Sequence, residues 1–222
     1  VRELQPRAVM VENVKGLLRQ SFAEYFEYIT LQLSYPEVLA KKDEDWRDHL
    51  SRLERHHTGA AYRGLSYRVV FRLLNAADYG VPQRRERVFI VAFRSDLDVQ
   101  WAFPERTHSM DALLRDKWVT GDYWERHGVA KKHRPDCPER LRKRIQTLGR
   151  ELVQNHLPAL TVRDGLAGLP EPVEGMQLIP NHMLIPGART YPGHTGSDQD
   201  EPAKTLKAGD HGVPGGENML RR

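Results

Sequence analysis

What this sequence lacks narrows it first. A single cysteine, Cys137, stands among 222 residues, which leaves no internal disulfide and no multi-cysteine metal site. No long hydrophobic run is present. The longest clean stretch is Val88-Phe89-Ile90-Val91-Ala92-Phe93, far short of the ~20 residues needed to cross a bilayer. The first residues, Val1-Arg2-Glu3-Leu4-Gln5-Pro6-Arg7, carry no signal-peptide apolar core. There is no internal repeat and no low-complexity tract. Charge of one sign is scarce too: 34 Lys and Arg against 30 Asp and Glu leave a formal charge of +4. These absences describe a soluble protein of a reducing compartment with no membrane partner. At 39% hydrophobic and 29% charged residues the chain is polar but not disordered in composition. Its length corresponds to one large or two small domains.

Order begins abruptly. Arg7-Ala8-Val9-Met10-Val11-Glu12-Asn13-Val14 is an apolar run without alternation, the pattern of a strand covered on both faces in a parallel α/β sheet. Chemistry in such sheets gathers beyond the carboxyl ends of strands, where Glu12 and Asn13 fall. Leu18, Phe22, Tyr25, Phe26, Ile29 and Leu33 recur at helical spacing, which predicts an amphipathic helix over 17–34, closed at Tyr35-Pro36. Residues 43–57 read as a second, highly charged surface helix. Two β-rich stretches follow, 67–72 and 87–93, separated by a turn-rich segment, 75–83. After residue 95 the periodicity vanishes, so the expected organisation is a sheet-bearing domain over 1–95 and an irregular α+β module over 96–222. The abrupt start at Val1 and the stop after a Gly-rich loop on Leu220-Arg221-Arg222 suggest a piece of a longer protein.

Two places could carry chemistry. Glu12, at a strand end and partly desolvated, could act as a proton donor; equally, such a Glu could simply point to solvent. Gln83-Arg84-Arg85-Glu86-Arg87 runs straight into a strand. In a strand Arg85 and Arg87 share one face, and two guanidiniums on one face suit a planar or anionic substrate. The plainer alternative is a charged strand edge.

Val11-Glu12-Asn13-Val14, followed by the run from Asn75-Ala76-Ala77-Asp78-Tyr79-Gly80-Val81-Pro82-Gln83 through Arg84-Arg85-Glu86-Arg87-Val88-Phe89-Ile90, closely resembles the cytosine-C5 DNA methyltransferases. In that family a Glu-Asn-Val motif and a Gln-x-Arg-x-Arg motif occur in this order. The resemblance implies that residues 1–95 are the later half of an S-adenosylmethionine-dependent methyltransferase sheet. It implies that 96–222 is a target recognition domain, truncated before the closing catalytic segments. Leu160-Thr161-Val162-Arg163-Asp164-Gly165-Leu166 and Glu201-Pro202-Ala203-Lys204-Thr205-Leu206-Lys207-Ala208-Gly209 are similar to stretches of such domains. In the family reaction a cysteine thiolate adds to C6 of a flipped cytosine, and C5 then takes the methyl group. By resemblance Glu12 meets the charge pushed towards N3, Arg87 holds the base O2 and orients Glu12, and Arg85 lies close to the attacked base. Asn13 and Gln83 contact the substrate. The Pro-Cys-Gln nucleophile loop and the Gly-rich methyl-donor loop are missing, and Cys137 follows both motifs. The chain alone is therefore expected to be inactive and to bind S-adenosylmethionine poorly.

Residues 125–144 hold eight basic side chains against three acidic ones, a local excess larger than that of the whole chain. On its own this is a solvated face; in a DNA methyltransferase it shifts towards phosphate contact. Lys131, Lys132, Arg134 and Arg142 are the expected phosphate contacts. Loops with Lys204, Thr205, Lys207, His211 and Asn218 are the expected major-groove readers of double-stranded DNA. The ten histidines, His56-His57 among them, lack metal-ligand spacing. The resemblance also brings a cognate restriction endonuclease, the remaining methyltransferase segments as partners, and a bacterial cytoplasm. The competing readings are a non-catalytic DNA-binding module, or one subunit of a split methyltransferase. An RNA-binding basic protein is weaker, because no aromatic stacking motif accompanies the charge.

Overall fold

The computed structural model describes residues 1–59, 62–150, 155–175, 178–180, 182, 184, 187, 195–206 and 220–221. They divide into two compact units. One comprises 1–74 with 86–104; the other comprises 75–85 with 105–222.

The first unit opens with strand β1 (Ala8–Val14), then two short 3-10 turns, Lys15–Leu18 and Gln20–Phe22. Helix α1 (Ala23–Ser34) follows, and then α2 (Trp46–Thr58), whose start is fixed by Asp45 accepting from the Arg47 amide at 2.9 Å. Strands β2 (Tyr67–Asn75) and β3 (Glu86–Arg94) complete a three-stranded sheet in the order β1-β3-β2. β1 runs antiparallel to β3, with Ala8 opposite Phe93 and Val14 opposite Arg87.

The central strand explains the core. Val88 and Ile90 of β3 are buried against Phe26 of α1, with Leu17, Leu33 and Val69 around them. On the far side of α1, Leu31 packs against Leu50 and Leu53 of α2. The unit is thus layered as sheet, α1, α2. α2 is charged on its outside, yet it buries His49, Leu50 and Leu53. The imidazole of His49 is satisfied on both sides, by the Tyr28 hydroxyl at 3.0 Å and the Val38 carbonyl at 2.9 Å.

One expectation is corrected here. β1 is not a parallel strand buried on both faces; it is an antiparallel edge strand whose Met10 is 72% and Val14 55% exposed. An edge strand apolar on both faces has the same sequence pattern as a covered central one, so periodicity alone could not separate them. The helix predicted over 17–34 also begins later, at Ala23, because the preceding residues wind into 3-10 turns.

The second unit is built from short pieces. A 3-10 turn, Ala76–Tyr79, ends at Gly80, whose φ of +80° favours glycine and where an added Cβ would come within 2.8 Å of His108. Further along lie β4 (His108–Ser109), α3 (Met110–Arg115), a π-helical turn (Asp116–Thr120), α4 (Asp122–Arg126) and α5 (Arg142–Leu148). Then come β5 (Leu157–Pro158), α6 (Val162–Gly165), β6 (Ser197–Asp198) and β7 (Leu220–Arg221). β4 pairs with β5 and β6 with β7, both in parallel. The apolar cluster here is small: Leu113, Tyr123, Trp124 and Ala159, with Met110 and Val129 against it. No helix among the described residues is long and apolar enough to cross a membrane.

Candidate active site

In the first unit the sheet brings two of the expected catalytic residues together. Glu12 stands opposite Phe89 and Val14 opposite Arg87. Glu12 and Arg87 are therefore diagonal neighbours on one face, and Arg87 Nε lies 2.8 Å from Glu12 Oε1. A second bond from Arg87, to the Glu86 carbonyl at 2.8 Å, holds the guanidinium in place. The Arg87 side chain is 18% exposed and that of Glu12 44%, so the carboxylate is turned towards solvent beside a half-buried cation. Asn13 lies on the other face of β1, and its Oδ1 accepts from the Val14 amide at 2.8 Å.

The residues expected to share a strand face with Arg87 are arranged differently. β3 begins at Glu86, so Arg85 precedes the strand. Its amide is bound by Asn75 Oδ1 at 3.1 Å and its carbonyl accepts from the Ala76 amide at 3.0 Å, which closes the loop between β2 and β3. Within the second unit Gln83 pairs in parallel with Ala203. Ala203 donates to the Pro82 carbonyl at 2.9 Å and Arg84 to the Ala203 carbonyl at 2.8 Å. Gln83 Nε2 reaches the Lys204 carbonyl at 3.4 Å, and the Thr205 hydroxyl donates to the Arg84 carbonyl at 2.5 Å. Arg84 itself pairs with Glu201 at 2.8 Å. Lys204 and Thr205, expected as base readers, thus run alongside the Gln-x-Arg segment, with the Lys204 ammonium 3.1 Å from the Thr195 hydroxyl.

The basic stretch divides. Lys131 and Lys132 are exposed in a 3-10 turn, Lys131–His133. Arg134 is drawn inward: it donates to the Val129 carbonyl at 2.9 Å and pairs with Glu125 at 2.5 Å, with 19% of its side chain exposed. Arg142 pairs with Glu139 at 3.0 Å on the surface. Lys207, His211 and Asn218 lie outside the described residues. Cys137 is half-buried, its thiol directed at the Pro138 carbonyl.

Sequence reasoning missed a buried polar cluster in the second unit. Lys117 is 5% exposed, with its Nζ on the Asp200 carbonyl at 2.8 Å and over the Trp118 ring at 4.3 Å. Burial lowers its affinity for the proton. The Asp200 carboxylate accepts from the Tyr123 hydroxyl at 2.8 Å and from Arg163 at 2.7 and 3.2 Å. Burial alone would raise the Asp200 carboxyl; the bonds from Arg163 and Tyr123 outweigh it and hold it below its ordinary value. Tyr123 is pushed well up, first by burial. One signal was available, since Thr161-x-x-Asp164 forms a capping box at the start of α6. A buried lysine leaves no such mark in a sequence.

The first unit thus pairs a carboxylate with a guanidinium across antiparallel strands, and the chain also carries a basic segment. Residues 51–156 match the family described as C-5 cytosine-specific DNA methylase, a span that holds Gln83, Arg85 and Arg87 but not Glu12. Similar proteins include a Type II methyltransferase, M.BspRI, from Lysinibacillus sphaericus, 38% identical over 51% of this chain and 20% of its own length. M.AquIA from Picosynechococcus is 38% identical over 49% of this chain and 34% of its own. M.HhaI from Haemophilus parahaemolyticus is 33% identical over 54% and 29%. Over 51–156, a little under half of its length, the chain is similar to the C-5 cytosine-specific DNA methylase family. It spans about a fifth to a third of the length of these relatives.

Proposed function

We propose that this chain forms part of a DNA (cytosine-5-)-methyltransferase that takes a flipped cytosine and methylates its C5. The observation that carries the reading is the 2.8 Å pair between Arg87 and Glu12 across β1 and β3, in a chain similar over 51–156 to this family. In the reaction, a nucleophile adding at C6 pushes negative charge towards N3 and O2 of the base. Glu12 hydrogen-bonds or protonates N3, while Arg87 donates to O2 and keeps the carboxyl group aimed. Such donors, fixed before the charge develops, are each worth about 3 kcal/mol in a water-poor site. Flipping is required because C5 and C6 are shielded within the stack. Arg85 lies close to the attacked base, and Asn13 and Gln83 contact the substrate. Lys131, Lys132 and Arg142 neutralise phosphates, Arg134 being held by Val129 and Glu125, and Lys204 and Thr205 lie nearer the bases.

S-adenosylmethionine supplies the methyl group when bound. The three strands of the described sheet run on into Lys15-Gly16-Leu17, Ala76-Ala77-Asp78 and Ser95-Asp96-Leu97, none of which is a Gly-rich donor turn. These residues do not fit the donor, and no step is assigned to them through it. Methylation by the 222-residue chain by itself is not expected. A bacterial cytoplasm and a cognate restriction endonuclease fit the names of the relatives.

Bisulfite sequencing of DNA from cells expressing the complete protein that contains this chain tests the reading. Protected cytosines at one short recurring sequence are expected. A soluble, intact protein with no protected site would overturn it in favour of a DNA-binding module or one half of a split enzyme.

A further inference from the structure

The Gln83–Arg85 segment is short and exposed at Arg84 and Arg85; its own loop holds Arg85 through Asn75 Oδ1 and the Ala76 amide, and the Gln83 amide donates to the Val81 carbonyl at 2.7 Å. Its other support comes from the chain at 197–205. That chain is itself pinned at one residue. Asp200 uses its carboxylate on Tyr123 and Arg163 and its carbonyl on Lys117, so three side chains from three elements converge on it. Tyr123 continues to Thr161 at 3.0 Å, and Thr161 is 0% exposed and bound to Asp164 at 2.7 Å. Main-chain bonds reinforce the same place: Val162 donates to the Glu201 carbonyl at 3.0 Å and Arg163 to the Gln199 carbonyl at 2.8 Å. On the other side Gly165 admits Pro82 so closely that an added Cβ would stand 2.9 Å from its Cγ. α6 and the 201–205 chain therefore grip Pro82–Arg84 together.

We propose that Asp200 is a positioning residue for the Gln83–Arg85 segment, tying the buried Lys117 and Tyr123 and the half-buried Arg163 to the chain that seats it. The proposal rests on the methyltransferase reading for its effect on rate, but not for its effect on order. Every group in the cluster has a partner, and such networks fix geometry because a half-satisfied state is costly in a low dielectric. Positioning errors of about 1 Å cost on the order of a hundredfold in rate.

The test uses the complete protein with Asp200→Asn and, as a milder change that keeps volume, Tyr123→Phe. Hydrogen exchange is followed at the Arg84 and Arg85 amides, which are bonded to Ala203 and Asn75. Turnover and DNA affinity are measured beside it. Faster exchange at these amides is expected, with α2 amides unchanged. The turnover rate should fall about 10- to 100-fold for Asp200→Asn, and KM for DNA about threefold or less. Arg85→Ala added to Asp200→Asn should cost less than its effect alone, since both act through one segment. Unchanged exchange in both variants, or losses that multiply, would overturn the proposal. If the parent protein transfers no methyl group but exchange still responds, the functional reading falls and the positioning role stands.

Discussion

The two units solve the same problem with different materials. The first stacks a sheet on two helices; among its described residues the buried side chains are apolar or aromatic apart from His49, which finds a partner at each ring nitrogen. The second has more pieces and, among the described residues, fewer buried apolar side chains, six against ten, yet buries Lys117 at 5% and Thr161 at 0% exposure. Hydrophobic burial is non-directional and suits long elements with repeating faces. Segments of four to seven residues, such as α3, α5 and α6, have too little face for that, and directed polar bonds set their arrangement instead. The polarity of the first unit lies at its surface, where a substrate can meet it; much of that of the second is spent inside.

The sharpest way to break this contrast is at Glu12. If its carboxyl works on a substrate, Glu12→Gln in the complete protein lowers methyl transfer by about 10²- to 10⁴-fold and leaves duplex affinity nearly unchanged. Both are read by filter-bound tritium and by titration of labelled DNA. Unchanged turnover would reduce the Glu12–Arg87 pair to a surface ion pair. Next comes the cost of the two interiors. Leu53→Ala, at a site 0% exposed, should cost about 2–5 kcal/mol in urea unfolding. Tyr123→Phe should cost about 1–3 kcal/mol, because it strips one bond each from Asp200 and Thr161. A Tyr123→Phe cost near zero would mean that the polar cluster is decoration.

This difference also decides what could be read in advance. α2, β2 and β3 carry their periodicity openly, and their places were legible to within a few residues, whereas α1 begins six residues later than its pattern suggests. The Glu12 and Arg87 positions were legible through motif order. Their diagonal contact was not, because register between β1 and β3 depends on which strand lies in the centre. Nor was the pairing of Gln83 with Ala203 across a long stretch of chain, since single main-chain bridges need no particular side chain. Lys117 and Asp200 looked like any solvated charges. Only their neighbours make them internal, and neighbours are what a sequence withholds.

The basic stretch offers a smaller effect that sharpens the same line between spent and unspent charge. Lys131→Gln with Lys132→Gln should flatten the dependence of log affinity on log salt by up to about 2, one unit per lost phosphate contact. Arg134→Gln should show mainly as lowered stability, because that guanidinium is engaged by Val129 and Glu125. An equal salt response from both would place Arg134 on the DNA as well.

The smallest expected effect concerns the one strongly shifted carboxylate of the first unit. Bonds from Arg52, then from the Lys41 amide, hold Glu44 down to about 2, against an ordinary value of 4.5. The unfolded chain then takes up the proton before the folded one does, so stability rises with pH across that window. The contribution is complete above about 4.5 and vanishes as pH falls towards 2. Glu44→Gln should therefore be less stable than the parent near neutral pH, and the gap between their urea midpoints should close as the solution is acidified through that range. A gap that stays constant would show that Arg52 gains nothing from the charge and that Glu44 acts only as a hydrogen-bonded cap.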